Sequence, residues 1–154
     1  MRKYATGVAV LTVRSRDEIH GMTANSFTSV SLDPVLVLVC ILNGSTTHEL
    51  VTRAGHYAMN FLSQAQSDWA KRFAKQVLVP ADPFYDIEYH TAVTGAPIFN
   101  NCLGYVDCEV VAAHPAGDHT IFVGQVLAVG YGQAKEGPLV WFGGGYKSLL
   151  ESKE

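Results

Sequence analysis

The apolar run VLVLVCIL, Val35–Leu42, lies between the dipeptide Asp33-Pro34 and the polar segment NGSTTH. Its side chains are apolar at both alternating positions, which is typical of a strand that is covered on both faces. The run is far shorter than the roughly 20 residues that a membrane-spanning helix needs. We therefore expect a central strand in a sheet with a buried core.

A short helix is predicted directly after this strand. Thr46 and Glu49 lie three positions apart, as in a capping box, and Gly55 can adopt the left-handed conformation that ends many helices. An apolar stripe of Leu50, Val51 and Ala54 lies between these two signals. A second helix is predicted in SQAQSDWAKRFAKQ, residues 63–76, where apolar residues recur at every fourth position.

Most of the remaining sequence predicts strands. Gly104–Ala112 alternates apolar and polar side chains, which indicates one solvent-facing side that carries Asp107. Thr120–Gly130 is apolar on both faces, and residues 77–97 predict an irregular connection with a brief strand in DIEYH. Further strands are predicted at Thr6–Val13, Ile19–Phe27, His56–Leu62 and Pro138–Phe142.

Six or seven strands with two helices inserted midway indicate a mainly β fold with inserted helices. The expected architecture is a closed or partly closed antiparallel barrel. The chain has 154 residues and shows no internal repeat or linker, so we expect one domain over residues 1–154.

The composition limits the classes of partner. Only 16% of the residues are charged, against roughly 25% in typical domains, so we expect a subunit interface. The net charge of −3 and the absence of a long Lys and Arg cluster argue against nucleic acid. The three cysteines form no C-x-x-C motif, so we expect reduced core residues rather than a disulfide or a metal site. No signal-peptide pattern opens the sequence, and we expect a cytoplasmic protein without a membrane partner.

A run of short polar side chains lies in GMTANSFTSVS, Gly21–Ser31. Short side chains leave the backbone amides open to a flat heteroaromatic ring with donors and acceptors along its edge. A Ser- and Thr-rich edge strand, or a series of local side-chain-to-backbone turns, explains the same composition equally well. Both interpretations are open at this point.

The segment Gly44–Thr47 lies between the apolar strand and the predicted first helix. Free N–H groups, the positive end of the helix dipole and three hydroxyl groups converge there, which suits one phosphate group. N-capping by Thr46 explains the segment without a ligand. The glycine fingerprint of Rossmann folds is absent, which argues against a dinucleotide bound in that manner.

Other catalytic and metal-binding patterns are weak. No G-x-S-x-G motif occurs, so a nucleophilic serine is not indicated. The six histidines show none of the usual metal-site spacings, although His114 and His119 bracket a turn. Scattered surface or core histidines account for this pattern, and we expect no metal site.

Seven blocks occur in a defined order along the chain: ATGVAVLTV, GMTANSFTSVSLDP, VLVLVC, STTHELVTRAGHYAMNFL, AKRFA, GDHTIFVGQV and PLVWFGGGY. In this order they resemble the flavin reductase-like family, the short NAD(P)H:flavin oxidoreductases that serve two-component flavin monooxygenases. The resemblance extends over residues 4–150, which is nearly the whole chain.

The resemblance implies an FMN-binding split β-barrel that acts as a homodimer and holds FMN or FAD near the subunit interface. The implied reaction is hydride transfer from NADH or NADPH to the flavin, with reduced flavin passed to a separate monooxygenase. His119 would be the catalytic residue that contacts the nicotinamide nucleotide, Phe73 would lie against the flavin, and Tyr146 would close the nicotinamide side. The implied flavin-binding residues are Thr23, Ala24, Asn25, Ser26, Ser29, Val30 and Ser31 for the ring and ribityl chain, and Ser45, Thr46 and Thr47 for the phosphate.

Three features depart from the family pattern. Gly44 stands where many relatives carry a basic residue, and Gly143 and Gly145 stand where arginines are common. Met1 lies within what is usually an N-terminal helix, so we expect a slightly trimmed chain. The missing arginines favour an alternative function, a non-catalytic flavin- or haem-type binding module on the same barrel. A second alternative is a dimeric interaction protein that binds no flavin.

Overall fold

The computed structural model describes residues 1–75, 77–78 and 80–149. The described helices are α1, Thr46–Ala54, a 3₁₀ turn at Gln64–Gln66, and α2, Ser67–Phe73. The described strands are β1 Thr6–Gly7, β2 Ala9–Ser15, β3 Glu18–Ala24, β4 Phe27–Leu32, β5 Val35–Leu42, β6 His56–Phe61, β7 Tyr89–His90, β8 Ile98–Phe99, β9 Gly104–Ala116, β10 His119–Tyr131, β11 Leu139–Phe142 and β12 Gly145–Ser148. The predicted mainly β fold with inserted helices is confirmed. None of the described helices combines the length and apolar character needed to cross a membrane.

Seven of these strands form one antiparallel sheet in the order β3-β2-β6-β9-β10-β5-β4. The two edge strands, β3 and β4, are neighbours in sequence and are joined only by Asn25 and Ser26. Because so short a link holds the ends of both edge strands together, the sheet has to curl around its own core. This topology agrees with the predicted partly closed barrel.

The interior of the curled sheet is filled by apolar side chains that alternate along each strand. Leu11, Ile41, Tyr57 and Met59 are each at most 1% exposed in this core. Burying a side chain of this size stabilises the fold by about 1.5–3 kcal/mol. Burial of these side chains therefore stabilises the barrel.

Gly124 of β10 is a position where this core has no room for a side chain. A Cβ atom at this position would lie 2.6 Å from Tyr57 Oη and 2.9 Å from Cys108 Cβ. Because both neighbours are fully buried, we expect Gly124→Ala to lower the free energy of unfolding by about 1–3 kcal/mol. Urea unfolding measures this change. Gly137→Ala is the matched control, since its Cβ would meet nothing closer than 4.0 Å. Equal stability of the two variants would contradict the packing described.

The helix α1 begins with a different cap from the one that the sequence predicts. Ser45, and not Thr46, is the N-cap, because its extended backbone lets Oγ accept a hydrogen bond from His48 N at 3.2 Å. Gly55 ends the helix as predicted, with φ of 71°, and its N–H donates to Val51 O at 2.9 Å. Buried side chains of α1 close one end of the barrel core.

A smaller sheet, in the order β1-β11-β12, lies beside the barrel together with α2. The side chains between them form a second core, in which the ring of Phe73 lies 5.1 Å from that of Phe84 and 5.9 Å from that of Phe99. Arg72 Nη2 donates to Asp86 Oδ2 at 3.0 Å. This ion pair holds the connection that follows α2, which contains Asp86, against the helix.

Asp107 corrects the prediction for β9. The sequence pattern predicts that Asp107 faces solvent, but its side chain is fully buried. Its carboxylate accepts hydrogen bonds from Val93 N at 2.8 Å and Thr94 N at 2.9 Å. The connection between β7 and β8 covers this face of β9. The N–H groups of that connection provide the hydrogen bonds that the buried carboxylate needs.

Several apolar side chains of β5 and β10 are exposed, although the sequence predicts strands covered on both faces. β5 is an interior strand of the sheet, between β10 and β4, but the prediction that both of its faces are covered is wrong. Leu42 is 49% exposed, and Val129 and Tyr131 are 72% and 97% exposed. Within the described residues, nothing covers these side chains. Leu36, Leu38 and Leu42 lie on the outward side of β5, whereas Leu127, Val129 and Tyr131 lie where β10 continues beyond its pairing with β5. We call these six side chains together the outer apolar face.

Candidate functional site

A groove on the outside of the barrel follows the paired strands β4 and β5. Its floor consists of two cross-strand pairs, Ser26 with Cys40 and Thr28 with Leu38. These side chains point outward because Phe27, between Ser26 and Thr28, packs against the barrel core. Cys40 N donates to Ser26 O and Ser26 Oγ donates to Cys40 O, both at 2.9 Å. The β4 half of the floor carries hydroxyl groups, and the β5 half is apolar.

Trp141 and the N-terminal residues form the walls of this groove. Together with the floor they enclose a cavity of about 420 Å³, which is within the size range of small-molecule sites. Trp141 is paired with Thr6 of β1, and its ring centroid lies 5.0 Å from that of Tyr146. The N-terminal wall consists of Met1, Arg2 and Tyr4.

A second cavity of about 140 Å³ continues the groove toward α2. It shares Asn25 and Trp141 with the first cavity, and Thr23, Ala74 and Tyr146 also line it. Four of the predicted cofactor-binding residues therefore lie along one continuous groove: Thr23, Asn25, Ser26 and Tyr146.

The hydroxyl groups along the groove have protein partners and keep the capacity to accept further hydrogen bonds. Thr23 Oγ1 donates to Ala70 O at 2.7 Å, and Asn25 Nδ2 donates to Thr6 Oγ1 at 3.2 Å. A hydroxyl that donates one hydrogen bond can still accept from a ligand, and the free edge of β4 supplies backbone donors. The two interpretations of the polar run are thus compatible, since a Ser- and Thr-rich edge strand also lines a groove.

The other residues of the same polar run do not line the larger cavity. Ala24 is 5% exposed, and its side chain lies in the barrel core. Ser29, Val30 and Ser31 lie beyond Thr28, at a β-bulge where the register with β5 shifts between Ser29 and Ser31. Val30 is the extra residue of this bulge and is 48% exposed. Ligand contacts by these four residues stay a prediction.

The start of α1 offers the predicted phosphate site in a modified form. Ser45 Oγ caps the helix and also donates to Leu42 O at 2.8 Å. Thr46 is exposed, whereas Thr47 is only 3% exposed and its Oγ1 lies 3.0 Å from His20 Nε2. Burial lowers the pKa of His20, which favours the neutral imidazole there. Ser45, Thr46 and the N–H groups of the first turn are the accessible parts of this site.

His119 lies at the same end of the barrel as the start of α1. It is paired with Leu42 in the register between β5 and β10, and Asn43 N donates to Asp118 O at 2.9 Å. His119 Nδ1 lies 2.7 Å from Asp118 Oδ1, and this hydrogen bond lowers the pKa of Asp118. With Nδ1 engaged, Nε2 of the imidazole is the atom that can meet a ligand.

Phe73 lies in the second core. It is 5% exposed, and a Cβ atom at Gly21 would lie 2.7 Å from its Cε1, so the ring is pressed against β3. The next residue, Ala74, lines the smaller cavity. Contact between Phe73 and a flavin stays a prediction.

Trp141 is the main groove residue that the sequence does not identify. It is recognisable only as part of a short strand, PLVWF. The β11–β12 hairpin that sets it opposite Tyr146 turns through glycines, and β12 itself was not predicted. The alternation of polar and apolar residues in Ser26-Phe27-Thr28 is the sequence pattern that indicates which side chains of β4 form the groove floor.

The cysteines behave as predicted in two of three cases. Cys102 and Cys108 are buried core residues, and burial raises their pKa to about 11 and about 12 respectively. The prediction is wrong for Cys40, which is half buried and lies on the groove floor. In the part of the chain that the structure describes, no group of His, Cys, Asp or Glu side chains could hold a metal ion.

Comparisons with known proteins agree with one another. A family model described as flavin reductase like domain matches residues 1–150. The chain is 41% identical over 126 residues to "Probable flavin reductase" of Rhizobium meliloti. The matched segment covers 81% of this chain and 40% of that protein. It is 37% identical over 147 residues to NADH-dependent flavin reductase StyB of Pseudomonas fluorescens. This match covers 93% of this chain and 82% of StyB.

Two further proteins show the same similarity. The chain is 31% identical over 152 residues to HsaB of Mycobacterium tuberculosis, the reductase subunit of a flavin-dependent monooxygenase. This match covers 98% of this chain and 80% of HsaB. The solved structure of NADH:FAD oxidoreductase SgcE6 of Streptomyces globisporus, in complex with NAD and FAD fragments, matches with a TM-score of 0.89 at 31% identity. That match covers 99% of this chain and 90% of the SgcE6 chain.

Proposed function

The chain belongs to the flavin reductase-like family, and we propose from this premise that it is an NAD(P)H:flavin oxidoreductase. It transfers a hydride from NADH or NADPH to FMN or FAD and supplies the reduced flavin to a separate flavin-dependent monooxygenase. The observation that carries the proposal is the groove beside Trp141, whose floor is half hydroxyl-lined and half apolar.

The groove fits an isoalloxazine ring in size and in chemistry. Ser26, Thr28 and the free edge of β4 match its polar edge, and Leu38 and Trp141 match its apolar faces. When bound, the flavin supplies the hydride acceptor and the nicotinamide supplies the hydride. The residues of the groove orient the two rings and exclude water, and the chemistry requires no acid or base from the protein.

The start of α1 is assigned to the flavin phosphate. The Ser45 and Thr46 hydroxyls, the first N–H groups of the helix and its dipole all favour an anion there. Thr47 contributes its N–H group, since its side chain is buried. His119, at the same end of the barrel, is assigned to contact the nicotinamide nucleotide through Nε2.

A homodimer that forms through the outer apolar face would complete the flavin site. Leu38 belongs both to this face and to the groove floor, so a second copy of the chain would close the open side of the groove. The charged fraction of 16% supports such an interface. The exposure of Val129 and Tyr131 supports it too, because each large apolar side chain withdrawn from water contributes about 1.5–3 kcal/mol.

Val129→Asp is expected to convert the protein to a monomer in solution. Val129 is 72% exposed where β10 extends beyond β5, and a symmetric dimer that covered this position would bury two carboxylates without partners. Chromatography with light scattering measures the molar mass. The control is Val77→Asp, which adds the same charge at an exposed valine outside this face and is expected to remain dimeric. A dimeric Val129→Asp protein would show that another surface is used.

Assignments of the partners, the cellular location and the domain organisation complete the proposal. HsaB is named as the reductase subunit of a flavin-dependent monooxygenase, which supports the separate partner. The net charge of −3 supports the absence of nucleic acid as a partner. We assign the protein to the cytoplasm, without a membrane partner, and treat residues 1–154 as one domain.

A non-catalytic flavin-binding module is the second candidate, favoured by Gly143 and Gly145 in place of the expected arginines. Oxidation of NADH and NADPH with added FMN, FAD or riboflavin separates the two functions. We expect flavin-dependent oxidation of at least one nucleotide. A tightly retained cofactor seen by absorbance, without nucleotide oxidation, would establish the binding module instead.

A further inference from the structure

A chain of hydrogen bonds joins the first turn of α1 to the start of β10. His48 Nε2 lies 2.9 Å from Thr120 Oγ1, and Thr120 Oγ1 donates to Asn43 Oδ1 at 2.7 Å. Because the Oδ1 atom of an asparagine only accepts, the hydroxyl proton of Thr120 is committed to Asn43. His48 Nε2 is therefore the donor to Thr120 Oγ1, and the three side chains form one directed chain.

One end of this chain holds the turn between β9 and β10, which precedes His119. Asn43 Nδ2 donates to Gly117 O at 3.4 Å, and Asn43 N donates to Asp118 O at 2.9 Å. Asp118 Oδ1 in turn lies 2.7 Å from His119 Nδ1. The orientation of the His119 ring therefore depends on Asn43, whose side chain is held by Thr120.

The other end of the chain lies at the start of α1. His48 N donates to the N-cap oxygen, Ser45 Oγ, at 3.2 Å, and the His48 ring packs edge-on against Phe122 with centroids 5.4 Å apart. The segment assigned to the flavin phosphate lies between Asn43 and His48 in sequence. The single hydroxyl group of Thr120 is thus bonded to the residues at both ends of that segment.

Thr120 and His119 are neighbours in β10, so their side chains project from opposite faces of the strand. His119 is assigned to the nicotinamide nucleotide, whereas the Thr120 hydroxyl group is occupied by two protein partners. Thr120 therefore acts on a ligand through the position of other residues.

We propose that Thr120 is a positioning residue that couples the flavin phosphate site to His119. A phosphate that binds at the start of α1 fixes the segment that Thr120 clamps, and through Asn43 it fixes the turn that orients His119. The nicotinamide nucleotide then meets an imidazole that is already in place, which lowers the entropic cost of its binding. This inference rests on the proposed function, because it uses the sites assigned there to the phosphate and the nucleotide.

Thr120→Val tests the coupling, because valine has the same shape and lacks the hydroxyl group. Calorimetry gives the dissociation constant of NAD⁺ or NADP⁺, according to which reduced form the protein oxidises, with saturating oxidised FMN or riboflavin. For the wild-type protein we expect the constant to be about five- to tenfold lower with FMN, since riboflavin has no phosphate. For Thr120→Val we expect the FMN value to rise to the riboflavin value, and the riboflavin value to change less than about twofold.

Three further variants separate positioning from a general structural effect. Thr120→Ser keeps the hydroxyl group and is expected to restore the wild-type difference between FMN and riboflavin. Asn43→Ala, at an exposed position, breaks the same chain and is expected to act like Thr120→Val. Thr52→Val, at an exposed threonine of α1 beyond its first turn, is the matched control and is expected to leave the difference unchanged.

The His119→Ala background shows whether Thr120 acts through His119. In that background, Thr120→Val is expected to cause no further change in nucleotide binding, because residues that act as one unit are not additive.

The remaining outcomes would overturn the inference. A wild-type protein with equal constants for the two flavins would have no coupling to explain. Equal losses with FMN and riboflavin in Thr120→Val would show a purely structural role, and an unchanged difference would show no role. Each of these results leaves flavin-dependent nucleotide oxidation intact, whereas a wild-type protein that oxidises no nucleotide would refute the proposed function itself.

Discussion

Thr28→Trp is expected to weaken FMN binding about 10- to 100-fold, because the indole would fill the space assigned to the isoalloxazine ring. Thr28 lies on the edge strand β4, and its side chain is exposed on the floor of the groove. The substitution therefore leaves the barrel core intact. Quenching of flavin fluorescence measures the dissociation constant.

Leu32→Trp is the control for this substitution. Leu32 lies on the same strand, is 90% exposed and does not line the groove. Its variant is expected to bind FMN with wild-type affinity. Equal losses in the two variants, or no loss in Thr28→Trp, would place the ring outside the groove.

Thr46→Glu is expected to weaken FMN binding about 10- to 100-fold and to stabilise the fold at the same time. Thr46 is the exposed first residue of α1. A carboxylate at this position interacts favourably with the helix dipole by about 0.3–1 kcal/mol, but it repels the phosphate of the flavin. Flavin titration and urea unfolding measure the two opposite effects.

Riboflavin provides the internal control for Thr46→Glu, because it has the same ring and no phosphate. Its dissociation constant is expected to remain unchanged. Thr46→Gln, which has a similar size and no charge, is expected to affect FMN far less than Thr46→Glu. Equal losses of FMN and riboflavin affinity would show that the phosphate binds elsewhere.

Local sequence signals predicted the elements whose structure depends on neighbouring residues. The apolar run predicted β5 with its observed bounds, Val35–Leu42, and Gly55 ends α1 with a positive φ. The cap of α1 is Ser45 rather than Thr46, because three consecutive hydroxyl residues compete for that role. Spacing alone does not decide which of them faces the helix N–H groups.

The groove could not be predicted in detail, because it depends on the pairing of residues that are distant in sequence. Thr6 is paired with Trp141 across nearly the whole chain, and no local pattern specifies that register. The apolar pattern of Thr120–Gly130 predicts burial on both faces, yet Leu127 and Val129 are exposed. A single chain does not reveal whether its own residues or a second copy cover such a face.

A crystal structure of the protein with bound FMN is the most direct test of the flavin assignment. We expect the isoalloxazine ring within about 3.5–4.0 Å of Trp141 and of the floor residues Ser26 and Thr28, which is the van der Waals contact distance. We expect the phosphate at Ser45 and Thr46. A ring bound elsewhere, with the floor of the groove open to solvent and the start of α1 free of phosphate, would contradict the assignment.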